Sequence, residues 1–81
     1  MKTFLITDTN KALMSGYPQI YAKSGSEAVK KYCKENYPTH IPKASGSNYV
    51  QIAVREGYID ENGKAWFYGG KKQTWYELTN N

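Results

Sequence analysis

Only one stretch of this chain is patterned for an α-helix, the run from Ser24 to Pro38, and that scarcity limits the possible folds more than any other feature. Ser24 and Glu27 have the S-x-x-E spacing of a capping box, in which the serine oxygen accepts from a first-turn amide and the glutamate reaches back to the cap. Ala28, Val29, Tyr32 and Cys33 then recur at the spacing of an apolar stripe, while Lys30, Lys31 and Lys34 fall on its flanks and back. Pro38 stops the run. The pattern predicts a helix over about residues 25–36, enough to cover one face of a sheet.

The rest reads as strand or turn. Thr3–Thr7 is a β-branched and aromatic run ended by the turn residues Asp8, Thr9, Asn10 and Lys11, and Gln19–Lys23 is a second short strand leading into the helix cap. Ala12–Pro18 has no clear period. Pro38–Asn48, with Pro42 and the small residues Ala44 to Asn48, is expected as a mobile loop of about ten residues. Tyr49–Arg55 alternates, Val50, Ile52 and Val54 against Tyr49, Gln51, Ala53 and Arg55, as a half-buried strand does. Gly57, next to Glu56, is expected as a bulge. Asn62-Gly63 is a strong signal for a two-residue hairpin turn, because a type I′ turn needs positive φ at both central residues. Gly69-Gly70 offers a second such turn, which would place Ala65–Tyr68 between two partners in a meander. The expected fold is therefore α+β: an antiparallel sheet of four to five strands with one helix on one face, in the order β-β-α-β-β-β, forming a single domain over residues 1–81.

The composition excludes several functions. A chain of 81 residues with 40% hydrophobic and 15% aromatic content supports one core and no second. No run approaches the ~18 apolar residues of a membrane span, and the start, Met-Lys-Thr-Phe-Leu-Ile-Thr-Asp, lacks the apolar centre of a signal sequence, so a cytosolic protein is expected. The single cysteine cannot form an internal disulfide, and with a single histidine it cannot build a zinc site, so neither metal nor cofactor is expected. Cys33 and His40 could be a thiol and its base, but Cys33 lies in the apolar stripe and reads as structural. The seven acids are scattered, each explicable as cap, turn or solvated face, and none forms an acid–base pair. Ser24-Gly25-Ser26 lacks the glycine spacing of a phosphate loop and reads as ordinary capping. No catalytic residue is expected.

Charge and aromatic residues point instead to binding. The net charge of +4 is uneven: residues 1–47 carry seven lysines against three acids, and residues 48–81 four cations against four acids. Lys30, Lys31 and Lys34 form a basic patch on the helix. All cations but Arg55 are lysines, which suits sequence-blind attraction to phosphate or acidic protein better than bidentate reading of bases. With two-residue loops at both turns, Trp66 lies opposite Ile59 and Gln73, and Ala65 opposite Thr74. One face then collects Tyr58, Ala65, Phe67, Tyr76 and Leu78, continuing Val50, Ile52 and Val54 beneath the helix. The other collects Ile59, Trp66, Tyr68 and Trp75, with Tyr49. A single helix leaves that second face uncovered, so the candidate partner-binding residues are Tyr49, Trp66, Tyr68 and Trp75, rimmed by Lys64, Lys71 and Lys72. Gly69-Gly70-Lys71-Lys72 reads either as a flexible basic finger or as a solvated tip. If a larger core or lysine stems cover them, the same aromatics are structural.

The run Ile20-Tyr21-Ala22-Lys23-Ser24 followed by Glu27-Ala28 and Lys34-Glu35, together with the hairpin Asp60-Glu61-Asn62-Gly63-Lys64 and Trp66 after it, resembles small phage-encoded anti-CRISPR proteins over about half of the chain. The resemblance implies a non-enzymatic inhibitor that occupies a nucleic-acid or subunit contact surface of a host protein or ribonucleoprotein complex, in the cytosol of a bacterial host. Two other readings are compatible with the residues: direct, sequence-independent nucleic-acid binding, and a homodimer formed through the aromatic face.

Overall fold

Ser24 caps the helix. In the computed structural model, which describes residues 1–11, 16–45 and 51–80, its Oγ accepts from the Glu27 amide at 3.2 Å, and α1 runs over Gly25–Asn36. The Glu27 carboxylate pairs with Lys31 Nζ at 3.5 Å, one turn on. Ala28, Val29, Tyr32 and Cys33 are all buried, as the stripe predicts. The Tyr37 amide closes the last turn on Cys33 O before Pro38.

The strands are β1 (Lys2–Asp8), β2 (Gln19–Ala22), β3 (His40–Ser45), β4 (Ile52–Ile59), β5 (Ala65–Phe67) and β6 (Thr74–Asn80). They form one antiparallel sheet in the order β2-β1-β4-β6-β3, with β5 also on β4. Phe4 and Ile6 of β1, Ala22 of β2, Ile52 and Val54 of β4 and Tyr76 of β6 meet the helix stripe in the main core. The class is the expected α+β sheet with one helix. Its sheet gains a strand, because residues 40–45, expected within a mobile loop, pair with β6 from His40↔Asn80 to Ser45↔Trp75. Pro42 does not prevent this. It lies opposite Leu78, whose amide goes to Gln51 Oε1, so this pair does not need a proline N–H.

A one-residue difference at the hairpin matters most. Asp60 N–H donates to Lys64 O at 2.9 Å, the Gly63 amide returns to Asp60 O at 3.0 Å, and Gly63 has φ 82°. The loop is therefore Glu61-Asn62-Gly63, a tight turn followed by a left-handed glycine, and not the expected two-residue turn. Asp60 Oδ1 holds it by accepting the amides of Asn62 and Lys64, both at 2.9 Å. The register becomes Ile59↔Ala65, Tyr58↔Trp66 and Gly57↔Phe67, and a one-residue slip exchanges the faces of a strand. Trp66 and Tyr68 thus fall on the helix side of the sheet with Tyr58, while Ala65 and Phe67 fall on the other.

The Gly69-Gly70 turn forms, with Lys71 N–H on Tyr68 O at 3.3 Å and Gly70 at φ 80°, but β6 does not fold back on β5. It continues along the same edge of β4, Val54↔Thr74 to Ile52↔Tyr76. The second arm of the hairpin is thus one interrupted strand, with residues 69–73 looped out beside Arg55, and the expected meander is replaced by this arrangement.

Gly57 is not a bulge: β4 runs through it in register with Phe67. It is a close approach. A Cβ there would lie 2.3 Å from Trp66 O and 3.2 Å from Phe67 Cα, both backbone atoms that cannot swing away. Gly57→Ala should cost about 1 to 3 kcal/mol, the overpacking range, by prising β5 off β4. Urea denaturation gives the cost, and amide exchange at Tyr68, whose N–H donates to Glu56 O at 3.1 Å, should show β5 loosening first.

The helix-free face is not left open. Tyr17, just before β2, meets the Phe67 ring edge-on at 5.6 Å, although β1 and β4 lie between their strands, about 14 Å across a flat sheet. The sheet curls to bring them together. Gln19 Oε1 spans the same curl to accept Ile59 N–H at 2.8 Å, and Arg55 stacks its guanidinium 4.9 Å from the Phe67 ring. On this face Leu5, Ala53 and Trp75 are buried, outside the helix-side cluster.

Candidate binding surface

The helix is shorter than the strand beneath it. Twelve helical residues span about 18 Å, whereas the eight of β4 span about 26 Å. Gly25 starts the helix over Val54 and Phe4, and the far end lies over Asp8, so the strand continues past the helix N-terminus. Tyr58 therefore has the parity of a core residue and no helix above it.

The register places Trp66 opposite Tyr58, and Tyr68 follows on the same face. These three rings are 39%, 44% and 44% exposed in the order Tyr58, Trp66, Tyr68. Each is oriented by a neighbour. The Tyr58 and Tyr68 rings lie 5.7 Å apart. Trp66 Nε1–H donates to Asp60 Oδ2 at 2.8 Å, and Lys64 Nζ sits 4.6 Å from the indole centroid. That indole hydrogen bond, then the Lys64 and Asn62 amides, hold the Asp60 carboxyl below its ordinary pKa, so the anion that pins Trp66 is present at neutral pH. Beside the rings, Glu56 lies 3.9 Å from both Lys2 and Lys71.

Of the residues singled out by sequence, Trp66, Tyr68 and Lys64 come together here, with Lys71 and Lys72 in the adjacent looped-out segment. Lys71 and Lys72 also line a small cavity of about 190 Å³ against Gly25 and Glu56. Trp75 does not belong to this surface: it is 9% exposed and shares the opposite face of the sheet with Ala53. Tyr49 lies outside the described residues. Sequence reasoning missed Tyr58, assigning it to the helix-covered face; the signal available was the length of the strand pattern against that of the helix.

The helix lysines separate. Lys31 is tied to Glu27 and donates to Tyr21 O at 2.8 Å. Lys30 and Lys34 flank a groove of about 550 Å³ between the C-terminal half of α1 and β3, with Cys33, Tyr37, Ile41 and Pro42 among its lining residues. Burial, aided by the Asp8 charge, pushes the Cys33 thiol up to about 11, so it is protonated at neutral pH and is no nucleophile.

A buried polar cluster joins the far end of the helix to β1. Asp8, 5% exposed, accepts from Tyr32 OH at 2.6 Å and Tyr37 OH at 2.7 Å through Oδ2, and from the Asn10 amide at 3.0 Å through Oδ1. Burial and these bonds push the Tyr37 hydroxyl up to about 12 and raise Tyr32 in the same direction. Lys11 Nζ lies 5.8 Å from each ring centroid. These partners of Asp8 are all within the chain, Tyr32 and Tyr37 on the helix and its cap and Asn10 in the turn, so the cluster fastens the helix to β1.

Comparison with protein-family models, curated proteins and solved structures found no match to this chain. Among the described residues no helix is long and apolar enough to cross a membrane, and no group of three His, Cys, Asp or Glu side chains could hold a metal ion.

Proposed function

We propose that this chain is a non-enzymatic binding module that docks a protein partner through Tyr58, Trp66 and Tyr68. The observation carrying this reading is that the three exposed rings lie on adjacent strands and are oriented before any partner arrives, Trp66 by Asp60 and Lys64 and the tyrosines by each other. Pre-orientation lowers the ordering cost of association, and aromatic side chains in that state are the usual anchors of protein interfaces. Protein is favoured over nucleic acid because Glu56 sits between Lys2 and Lys71, and the Asp60 carboxylate accepts the Lys64 amide, which weakens the cationic field a phosphate backbone needs. The finer assignment, an anti-CRISPR-like inhibitor or adaptor acting on a host nucleic-acid-handling complex, rests on the sequence resemblance and on the suitability of this surface.

The test is affinity capture from bacterial lysate followed by titration of the captured protein. Trp66→Ala and Tyr68→Ala should each remain folded and weaken binding by about 2 kcal/mol, the range of a central aromatic anchor. Unchanged affinity in both would move the contact surface elsewhere. Binding to random duplex DNA at about 150 mM salt, with a salt slope of several units at about 0.9 per neutralised phosphate, would favour nucleic acid instead.

A further inference from the structure

We infer that the groove between α1 and β3 is a second docking site, and that its occupant is an acidic amphipathic helix of a partner protein. The groove is lined by Cys33, Tyr37, Pro38 and Pro42, the last on the helix side of β3 opposite Leu78, and measures about 550 Å³. Lys30 and Lys34 line it one helical turn apart. Neither has an acidic partner among the described residues, in contrast to Lys31 beside them. Like charges at this spacing repel one another across the helix surface, and carboxylates brought by a partner would relieve that repulsion. Charge complementarity thus selects an acidic occupant and the apolar lining an amphipathic one.

The edge of β3 selects its conformation. Ile41↔Thr79 and Lys43↔Glu77 face inward to β6, leaving His40, Pro42 and Ala44 to point their backbone outward. His40 N–H is already taken by Tyr37 O at 3.0 Å, and Pro42 has none. A strand adding to this edge would find no regular row of donors, so β-augmentation is blocked. A helix, whose backbone groups bond to one another, needs no such row and docks through its side chains alone. This site lies beside the C-terminal half of α1, away from Tyr58, Trp66 and Tyr68, and stands independently of them.

The test uses a fluorescent helical peptide of about 14 residues, roughly 21 Å long, with leucines on one face and glutamates flanking them, against a control with lysines in place of the glutamates. The full chain should bind the glutamate peptide at least about tenfold more tightly than the control, with backbone NMR shifts confined to α1 and β3. Pro38→Asp, at an exposed lining position past the end of α1 that spares the fold, should weaken it by about tenfold or more. The double variant Lys30→Glu with Lys34→Glu should reverse the preference and bind the lysine peptide better. Equal affinity for the two peptides, shifts centred on Tyr58 and Trp66, or failure of the charge reversal to exchange the preference would overturn the inference. So would concentration-dependent self-association mapping to the groove, which would make a second copy its occupant, or duplex DNA displacing the peptide through Lys30 and Lys34.

Discussion

Trp75→Ala should cost this chain a large part of its stability, while Trp66→Ala should cost it little. Trp75 is 9% exposed on the face that curls away from the helix, opposite the fully buried Ala53. Truncating a buried tryptophan costs about 3 to 5 kcal/mol, through lost transfer free energy and the cavity left behind. A chain of this length has a total stability of about 4 to 12 kcal/mol, so much of it goes with one side chain. Trp66 is 44% exposed; its removal loses one indole hydrogen bond and the Lys64 contact, and should cost about 1 kcal/mol. Thermal melts followed by far-ultraviolet circular dichroism separate the two. A fall of about 12 °C or more is expected for Trp75→Ala and a few degrees for Trp66→Ala. A Trp75→Ala melt within a few degrees of the parent would show that this face is no core.

The contrast between the tryptophans marks where the sequence could be read and where it could not. The helix was legible to the residue, because Ser24, the apolar stripe and Pro38 act over one or a few turns and need no tertiary partner. The helix-free face expected for Trp75 is the one it occupies, although the Gly69-Gly70 register behind that expectation does not form and Trp75 is buried there. What failed was the hairpin count. Asn62-Gly63 is the signature of a two-residue turn, but Asp60 supplies a carboxylate that accepts two loop amides and the Trp66 indole, and this favours the three-residue loop. That choice reverses β5, so the expected platform of Trp66, Tyr68 and Trp75 is divided between two faces. β3 was hidden for a different reason: Pro42 and the small residues after it read as a loop, and only a partner strand 30 or more residues away makes their backbone extended. Curl was hidden too, since no local pattern tells that Tyr17 will reach Phe67.

The mismatch in length between α1 and β4 locates the candidate surface. A helix that ends short of its strand leaves core-patterned residues exposed, and here those residues are Tyr58 and, through the reversed β5, Trp66 and Tyr68. Had the hairpin taken two residues, Trp66 and Tyr68 would face the curled side with Trp75, and Ala65 and Phe67 would lie in their place. Trp66 and Tyr68 therefore owe their place on the candidate surface to Asp60. Its carboxylate sets the loop, the loop sets the register, and the register exposes the rings.

Asp8→Ala should be nearly as damaging as loss of Trp75, for an electrostatic reason. The carboxylate ends β1, and through one oxygen it receives both Tyr32 OH and Tyr37 OH, which belong to the last turns of the helix and its cap. Removing it strands the buried Tyr32 hydroxyl and the part-buried Tyr37 hydroxyl, at about 1 to 3 kcal/mol each, and releases the Asn10 amide of the following turn. A total of about 3 to 5 kcal/mol is expected in urea denaturation. The stranded hydroxyls, not the lost volume, are the cause, so adding Tyr32→Phe and Tyr37→Phe to Asp8→Ala should recover part of the loss. A triple variant less stable than Asp8→Ala alone would refute this account. The pH dependence supplies an independent check. Tyr37 is raised from 10.0 to about 12 in the folded protein, so its protonated form is favoured by folding. Its contribution is complete below the unfolded value and is lost as pH rises from 10.0 towards about 12. The parent should lose stability across that window more steeply than Tyr37→Phe, which has no hydroxyl to ionise; parallel curves for the two would mean that the Asp8 cluster does not hold the helix to the sheet.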